Sequence, residues 1–390
     1  MWSKVFRQSS AGGSTAVNRL FDRLGILRDL AFESTPIYLI LYVTAHCNFR
    51  CKMCFYLDQI ESASQNELTL EEIGKISSHF GRLIQLSLTG GEPFLRKDLP
   101  EIIETFARQN RARYITIPTN GSMPDRILSV VQRVVASCPN TCFRIPLSID
   151  GIGAEHDEIR RTPGSFKKLQ ETYAQLDVVR QRSQNLLIDV NTAFSGLNQD
   201  HVDKIIGFID KEWDIDNLSV TFARGKIRDP EARKASAVKY RQVIQRLQSR
   251  PRRREARPFS SLIRAVIGET WDVISKTLEH QKMIIPCRAA ANKLVVVSEE
   301  GDVYPCEILP GDRFGLGNLR QSNYDIRQMI RSSRSEGIRD YILKTKCHCT
   351  FECAMNTNIV YHWPGFPRLM GRFFQERRFI HLGSMPPREP

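Results

Sequence analysis

The stretch "IYLILYVTAHCNFRCKMCFY" (residues 37–56) joins an apolar run to a loop that carries three cysteines. The apolar run is long enough for one buried β-strand. Cys47, Cys51 and Cys54 then follow with the spacing Cys-x3-Cys-x2-Cys. A structural zinc site normally takes four protein ligands, and a disulfide would leave one of the three thiols over. Three thiolates fit the count of a cubane iron–sulfur cluster whose fourth iron stays free for a small ligand.

Composition places the chain among intracellular globular proteins. Its 390 residues are 41% hydrophobic, which is enough for one large core and a smaller second one. No apolar run approaches the ~18 residues that span a bilayer, and the first thirty residues lack the apolar centre of a secretory signal. We therefore expect a cytoplasmic protein, in which clustered cysteines serve metals or catalysis and structural disulfides are disfavoured.

The formal net charge of +13 raises the question of a nucleic-acid or anionic-membrane partner. No zinc-finger, RNP-type or helix-turn-helix pattern accompanies this charge, and much of it lies in local runs such as residues 250–258. We therefore do not expect nucleic acid to be the partner.

Six short β-rich runs, separated by amphipathic segments, predict the fold. They occupy residues 37–44, 83–89, 112–118, 141–149, 186–193 and 217–222. Apolar strands that alternate with helices are typical of a parallel sheet covered by helices. Thr69 and Glu72 form a capping-box pattern at the start of one helix. Because a closed barrel needs eight such units, we expect an α/β fold, either a partial (β/α)6 TIM-like barrel or an open sheet.

Polar and glycine-rich motifs follow the predicted strands at their carboxyl ends. The cysteine loop follows the first strand, "GGEP" (90–93) the second, "TNG" (119–121) the third and "SIDG" (148–151) the fourth. Asn191 lies near the end of the fifth. Ligands of such folds gather at this edge of the sheet, so we expect these motifs to contribute to ligand binding there.

The cysteine loop, taken together with "GGEP" in register with it, resembles the cluster loop of the radical S-adenosylmethionine (SAM) superfamily. The resemblance implies a [4Fe-4S] cluster on the three cysteines, with SAM chelating the free iron. Gly90, Gly91 and Glu92 would then receive the methionine ammonium. It further implies reductive cleavage of SAM to a 5'-deoxyadenosyl radical, and a reducing partner such as flavodoxin or ferredoxin.

The same resemblance assigns further cofactor contacts. Polar contacts to SAM are implied for Asn120, Ser148, Asp150 and Asn191, a carboxylate contact for Arg160, and adenine contacts for Phe55 and Tyr56. Many members have an aromatic residue before the third cysteine, where this chain has Met53. Asn120 could instead belong to a plain turn, Ser148 and Asp150 could cap the next helix, and Arg160 could be a solvated charge.

Five more cysteines lie near the carboxyl end. Cys287, Cys306, Cys347, Cys349 and Cys353, with a predicted hairpin turning at residues 299–302, resemble the SPASM and Twitch auxiliary-cluster domains. A full SPASM domain has seven cysteines for two clusters. The resemblance therefore implies one auxiliary [4Fe-4S] cluster, held by Cys287, Cys306 and two of the last three. A zinc site of four cysteines is the alternative.

These patterns divide the chain into four expected parts. They are an amphipathic helical segment (1–35), the barrel (36–248), a basic linker and helix (249–284), and a small α+β auxiliary-cluster domain with a basic tail (285–390). The amphipathic segment could lie on an anionic membrane.

The substrate stays open between a peptide and a small molecule or lipid, and the outcome between oxidation, crosslinking, methylation and sulfur insertion. The competing hypothesis is a non-catalytic zinc protein that binds nucleic acid, drawn from the ten cysteines and the basic charge.

Overall fold

Six parallel strands form the frame of the protein in the computed structural model, which describes residues 25, 28, 35–250 and 260–382. They are β1 (Tyr38–Thr44), β2 (Gln85–Gly90), β3 (Tyr114–Thr116), β4 (Cys142–Ser148), β5 (Leu186–Phe194) and β6 (Asn217–Phe222). Each lies within or beside the run predicted from the sequence, and each is followed by a helix before the next strand begins. The expected partial barrel is confirmed.

The described helices follow the strands in order. They are α1 (Leu57–Glu61), α2 (Leu70–His79), α3 (Leu99–Gln109), α4 (Pro124–Ser137), α5 (Ala154–Arg160), α6 (Ser165–Arg182), α7 (Val202–Glu212), α8 (Ala237–Ser249), α9 (Ser260–His280), α10 (Ile326–Ile330), α11 (Ser333–Lys344), α12 (Glu352–Val360) and α13 (Phe366–Leu382). The predicted capping box is present at α2, where Glu72 N donates to the Thr69 hydroxyl and Thr69 N donates to the Glu72 carboxylate. Among the described helices, none is long and apolar enough to cross a membrane.

The C-terminal hairpin extends the same sheet. Its strands are β7 (Leu294–Val297) and β8 (Asp302–Tyr304), and β9 (Gly317–Asn318) follows. The strand order is β6-β5-β4-β3-β2-β1-β7-β8-β9. Strand β7 is parallel to β1, whereas β8 and β9 are antiparallel to their neighbours. The predicted hairpin is therefore present, and it is hydrogen-bonded directly to the first strand of the barrel.

The two faces of the sheet differ in chemistry. On the face that packs against the helices, side chains such as Leu39, Leu86, Phe143 and Ile145 are fully buried in one hydrophobic core. On the other face, which we call the inner face, β4 places half-buried residues at every second position. Barrel interiors are usually filled by branched apolar side chains. The inner face of this sheet instead carries many polar groups, and it is partly accessible along β4 and β6.

The amphipathic segment predicted over residues 1–35 lies almost wholly outside the described residues, as does part of the predicted linker. The basic tail is described as far as α13, which packs against α9. There the guanidinium of Arg368 binds the carboxylates of Glu269 and Asp272, both at 3.0 Å. The charge of this tail arginine is therefore partly neutralised within the fold.

Arg96 fixes the position of the cysteine loop relative to the helices. Its guanidinium donates to the backbone carbonyls of Val43 and Leu68, both at 2.6 Å, and binds Asp98 at 2.8 Å. Val43 stands near the end of β1, immediately before the loop that carries the cysteines. Two separate segments of backbone are thus held by one side chain that is 9% exposed.

We expect Arg96→Met to lower the free energy of unfolding by about 2–4 kcal/mol, because it leaves buried carbonyls and a carboxylate without their donor. Chemical denaturation of the purified protein measures the change. Lys97→Met is the matched control, since Lys97 is exposed, and it should change stability by about 0.5 kcal/mol or less. Equal effects of the two substitutions would show that Arg96 has no such role.

Candidate active site

Two backbone segments touch at the edge of the sheet where the carboxyl ends of the parallel strands lie. Gly91 N donates to Thr44 O at 2.9 Å, and Glu92 N donates to His46 O at 2.9 Å. A Cβ on Gly90 or Gly91 would overlap these same carbonyl oxygens, and Gly90 has a φ of +138°. Only glycine fits both demands. The two glycines therefore let the end of β2 lie directly against the start of the cysteine loop.

The three loop cysteines lie close enough to Arg160 that its charge acts on all three thiols. Burial raises the pKa of the Cys47 thiol to about 11 and that of Cys51 to about 12, and the neighbouring thiols add to both shifts. The nearby Arg160 guanidinium opposes the shift at Cys47, Cys51 and Cys54 alike. Three thiols grouped beside a cation fit the thiolate donor set of a cubane cluster.

The described cysteines are not arranged as a site for one metal ion. Within the described ranges, no three His, Cys, Asp or Glu side chains are grouped closely enough to hold one metal ion. A cubane differs from such a site because it spreads its thiolate ligands over separate iron atoms.

Glu92 ties the ends of β2 and β3 together. Its carboxylate accepts hydrogen bonds from the Thr119 hydroxyl at 2.9 Å, from Asn120 N at 2.8 Å and from Phe94 N at 3.2 Å. The residue is only 1% exposed, and this burial raises the pKa of the carboxyl to about 7. Protein donors thus already occupy part of its acceptor capacity, and a contact with the SAM ammonium stays a prediction.

Asp150 and Arg160 form a buried ion pair next to the cysteines. The two groups lie 2.6 Å apart, and Asp150 also accepts a hydrogen bond from Ala193 N at 2.8 Å. Burial works against the charge of Arg160, but Asp150 and Cys51 hold its pKa above the usual value. Arg160 is therefore not a solvated surface charge. The helix after "SIDG" has Gly153 as its N-cap residue without a side-chain cap, so Asp150 does not cap it.

The Asn120 amide links the end of β3 to the cysteine loop, and the Asn191 amide joins β5 to β6. Asn120 Nδ2 donates to Asn48 Oδ1 at 2.9 Å, and Asn48 lies between the first two cysteines. The hydroxyls of Ser219 and Thr221 both donate to Asn191 Oδ1. Sequence reasoning missed Asn48, although its position inside the cysteine motif could have marked it.

Ser148 and the aromatic pair occupy different surroundings. Ser148 is half-buried and is the register partner of Asn191. The Tyr56 ring packs against Tyr42 with centroids 4.7 Å apart, and its hydroxyl donates to Glu299 at 2.5 Å. Phe55 is 42% exposed. Tyr56 is therefore held towards the C-terminal hairpin, and adenine contacts for the two rings stay predictions.

Four of the five C-terminal cysteines come together. Burial, with contributions from Cys349 and Cys287, raises the pKa of Cys306, and burial with Cys287 also raises the pKa of Cys347. Burial raises the pKa of Cys349 to about 11, and the neighbouring Cys287 and Cys347 add to this shift. Cys353 instead accepts a hydrogen bond from the Tyr38 hydroxyl at 3.0 Å.

A polar group not anticipated from the sequence lies between the two sets of cysteines. The Tyr42 hydroxyl donates to Glu307 at 2.5 Å, and Arg224 binds Glu352 at 2.6 Å. Burial and the Glu307 carboxylate raise the pKa of Cys353 to about 12. No local sequence pattern could have joined these residues, because Tyr42 and Glu307 are separated by 265 positions.

Part of the chain is similar to a known protein family. The model of the radical SAM superfamily matches residues 41–209. A GTP 3',8-cyclase of Tolumonas auensis is 36% identical over 103 residues, 26% of this chain and 31% of that enzyme. This chain thus spans about a third of the length of that curated relative.

Solved structures share the fold at low identity. Native anSMEcpe with bound AdoMet and Kp18Cys peptide has a TM-score of 0.59 at 16% identity, over 87% of this chain and 99% of that one. Streptococcus suis SuiB bound to precursor peptide SuiA has a TM-score of 0.53 at 15% identity, over 87% and 74%. The residues that match the radical SAM superfamily model, 41–209, contain the cysteine loop, the glycine pair and the parallel strands β2 to β5, so this part of the chain is similar to a radical SAM domain.

Proposed function

We propose that the protein is an enzyme that reductively cleaves SAM and uses the resulting 5'-deoxyadenosyl radical to remove hydrogen from a substrate carbon. The observation that carries the proposal is the pocket of three thiols beside Arg160, held against the Gly90–Gly91 turn by backbone hydrogen bonds. A [4Fe-4S] cluster bound by Cys47, Cys51 and Cys54 would supply the electron for this cleavage.

The side chains around the pocket would bind and orient SAM. Gly90 and Gly91 let backbone groups approach the amino acid part closely, and Glu92 offers a carboxylate to its ammonium. Arg160 would hold the carboxylate of SAM while Asp150 fixes the direction of the guanidinium. Ser148, Asn120 and Asn191 supply polar groups at the neighbouring strand ends, and Phe55 and Tyr56 supply the aromatic surface for adenine. Enclosure of these groups keeps water from the reactive carbon.

An auxiliary [4Fe-4S] cluster, held by Cys287, Cys306, Cys347 and Cys349, completes the proposal. Mutual proximity of these four thiols supports this ligand set, and the separate hydrogen bond from Tyr38 sets Cys353 apart. Four cysteines would close the site and suit it to accept an electron from an oxidised substrate.

The substrate and the reductant are proposed by class. The substrate is a peptide, a small molecule or a lipid that becomes oxidised or crosslinked. Flavodoxin or ferredoxin is the class of protein that would reduce the SAM cluster.

Anaerobically reconstituted protein should contain about eight irons per chain and release 5'-deoxyadenosine when dithionite and SAM are added. Cys51→Ala should lower the iron content to about four and bring nucleoside release to background, because it removes a ligand of the SAM cluster. The control is Cys138→Ala, which removes a thiol that is 5% exposed in the core, and it should keep both. Zinc in place of iron, without nucleoside release, would contradict the proposal and favour a structural metal protein.

Cys349→Ala and Cys353→Ala test the auxiliary ligand set. The first should lose about four irons while the SAM cluster remains, and the second should keep about eight. Iron analysis together with Mössbauer spectra of the two variants distinguishes these results. Loss of iron from Cys353→Ala with retention in Cys349→Ala would reverse the assignment.

The raised pKa of Glu92, about 7, predicts how SAM affinity varies with pH. The carboxyl must be ionised to bind an ammonium, so protonation below pH 7 should weaken binding. The dissociation constant of SAM, measured by equilibrium dialysis without reductant, should therefore rise between pH 8 and pH 6. The Glu92→Gln variant should bind SAM more weakly than the wild type at pH 8, and its dissociation constant should change little between pH 8 and pH 6. A wild-type constant that stays flat would rule out the ammonium contact.

A further inference from the structure

The inner face of the sheet presents polar groups below the proposed SAM site. The Tyr38 and Ser87 hydroxyls lie 2.9 Å apart, and Gln85 Nε2 donates to the Thr116 hydroxyl at 2.8 Å. Gln85, Thr116, Ser219 and Thr221 are only half-buried, in contrast to the fully buried positions that alternate with them. The space in front of the inner face is therefore lined in part by hydroxyl and amide groups that a polar molecule can contact.

Two carboxylates at the side of this space have unused acceptor capacity. In the described part of the chain, Glu307 receives its single side-chain hydrogen bond from Tyr42. Glu352 binds Arg224 through Oε2, whereas its Oε1 is buried and has no hydrogen-bond partner among the described residues. Buried acceptors without donors are unfavourable. A ligand that brings hydrogen-bond donors would satisfy them.

The arginines that face this space are already bound to carboxylates. Arg144 donates to both oxygens of Asp189, at 2.6 and 2.9 Å, and Arg224 donates to Glu352 and to Thr350 O. A phosphate group offers only acceptors and needs free cations or backbone N–H groups. With Glu307, these side chains supply three carboxylates and two guanidiniums, a balance that disfavours a nucleoside triphosphate.

The two carboxylates lie close to both sets of cysteines. Tyr42, the donor to Glu307, packs against Tyr56, two residues after Cys54. On the opposite side, Glu307 directly follows Cys306, and Glu352 lies next to Cys353. The acceptors therefore stand between the thiols proposed for the SAM cluster and those proposed for the auxiliary cluster.

We infer that the substrate is a small polyhydroxylated molecule that bears an amino group and no phosphate, with Glu307 and Glu352 as the acceptors for its ammonium and hydroxyl donors. This inference rests on the proposed function, and it selects one substrate class for the same site. Such a molecule complements both the surplus of carboxylates and the half-buried hydroxyls of the inner face.

Three sugars that share one ring and differ in charge test the inference: glucosamine, glucose and glucose 6-phosphate, with GTP as a fourth probe. Saturation-transfer NMR on the reconstituted full chain, with SAM but without reductant, measures their dissociation constants. Glucosamine should bind about fivefold or more tightly than glucose, because one ion pair is added. Glucose 6-phosphate and GTP should bind more weakly than glucose.

Glu307→Gln and Glu352→Gln should each remove most of the preference for glucosamine over glucose while leaving the iron content unchanged. The control is Glu336→Gln, because Glu336 is exposed on α11, and it should keep the preference. The inference is overturned if GTP or glucose 6-phosphate binds most tightly, if glucosamine shows no binding, or if both variants keep the wild-type preference. No SAM is cleaved in this binding experiment, so a negative result would overturn the substrate class and leave the proposed SAM cleavage intact. Absence of 5'-deoxyadenosine release, by contrast, would contradict the proposed reaction.

Discussion

The contact between residues 44–46 and residues 90–92 is the constraint on which the rest of the site depends. Two backbone hydrogen bonds of 2.9 Å join these segments, and there is no room for a Cβ between them. The contact fixes where the cysteine loop begins, and it also fixes the position of Glu92 at the end of β2. Because Glu92 in turn binds the start of the loop after β3, the geometry passes from strand to strand along the carboxyl edge of the sheet.

The two faces of the sheet have different roles, one in stability and one in the candidate site. The outer face supplies most of the apolar burial, through side chains such as Leu86 and Ile145 that are fully enclosed by helices. The inner face can therefore carry hydroxyls, amides and ion pairs without losing the fold, since stability comes mainly from apolar burial. This difference between the faces explains how the interior of a partial barrel can hold polar groups, whereas the interior of many closed barrels is filled by apolar side chains.

Local patterns were sufficient for the strands, the capping box at Thr69 and the cysteine loop, because each depends on residues close in sequence. The family resemblance also singled out Asp150 and Arg160 as candidate cofactor contacts, although it did not predict their direct ion pair. Contacts across the fold were beyond such patterns: Tyr42 meets Glu307 and Tyr38 meets Cys353 over separations of 265 and 315 residues. Residue spacing could likewise not separate Cys353 from Cys347 and Cys349, since all three lie within seven positions.

The hydrogen bonding of β7 to β1 makes the C-terminal segment a part of the barrel's own framework. Residues 294–297 cover one side of β1, a strand with six of its seven residues buried, and β2 pairs with its other side. A chain shortened before β7 would leave that apolar strand with a free row of N–H and C=O groups. Such edges pair readily with other chains, so the shortened protein would tend to aggregate even with every residue of the cysteine loop present.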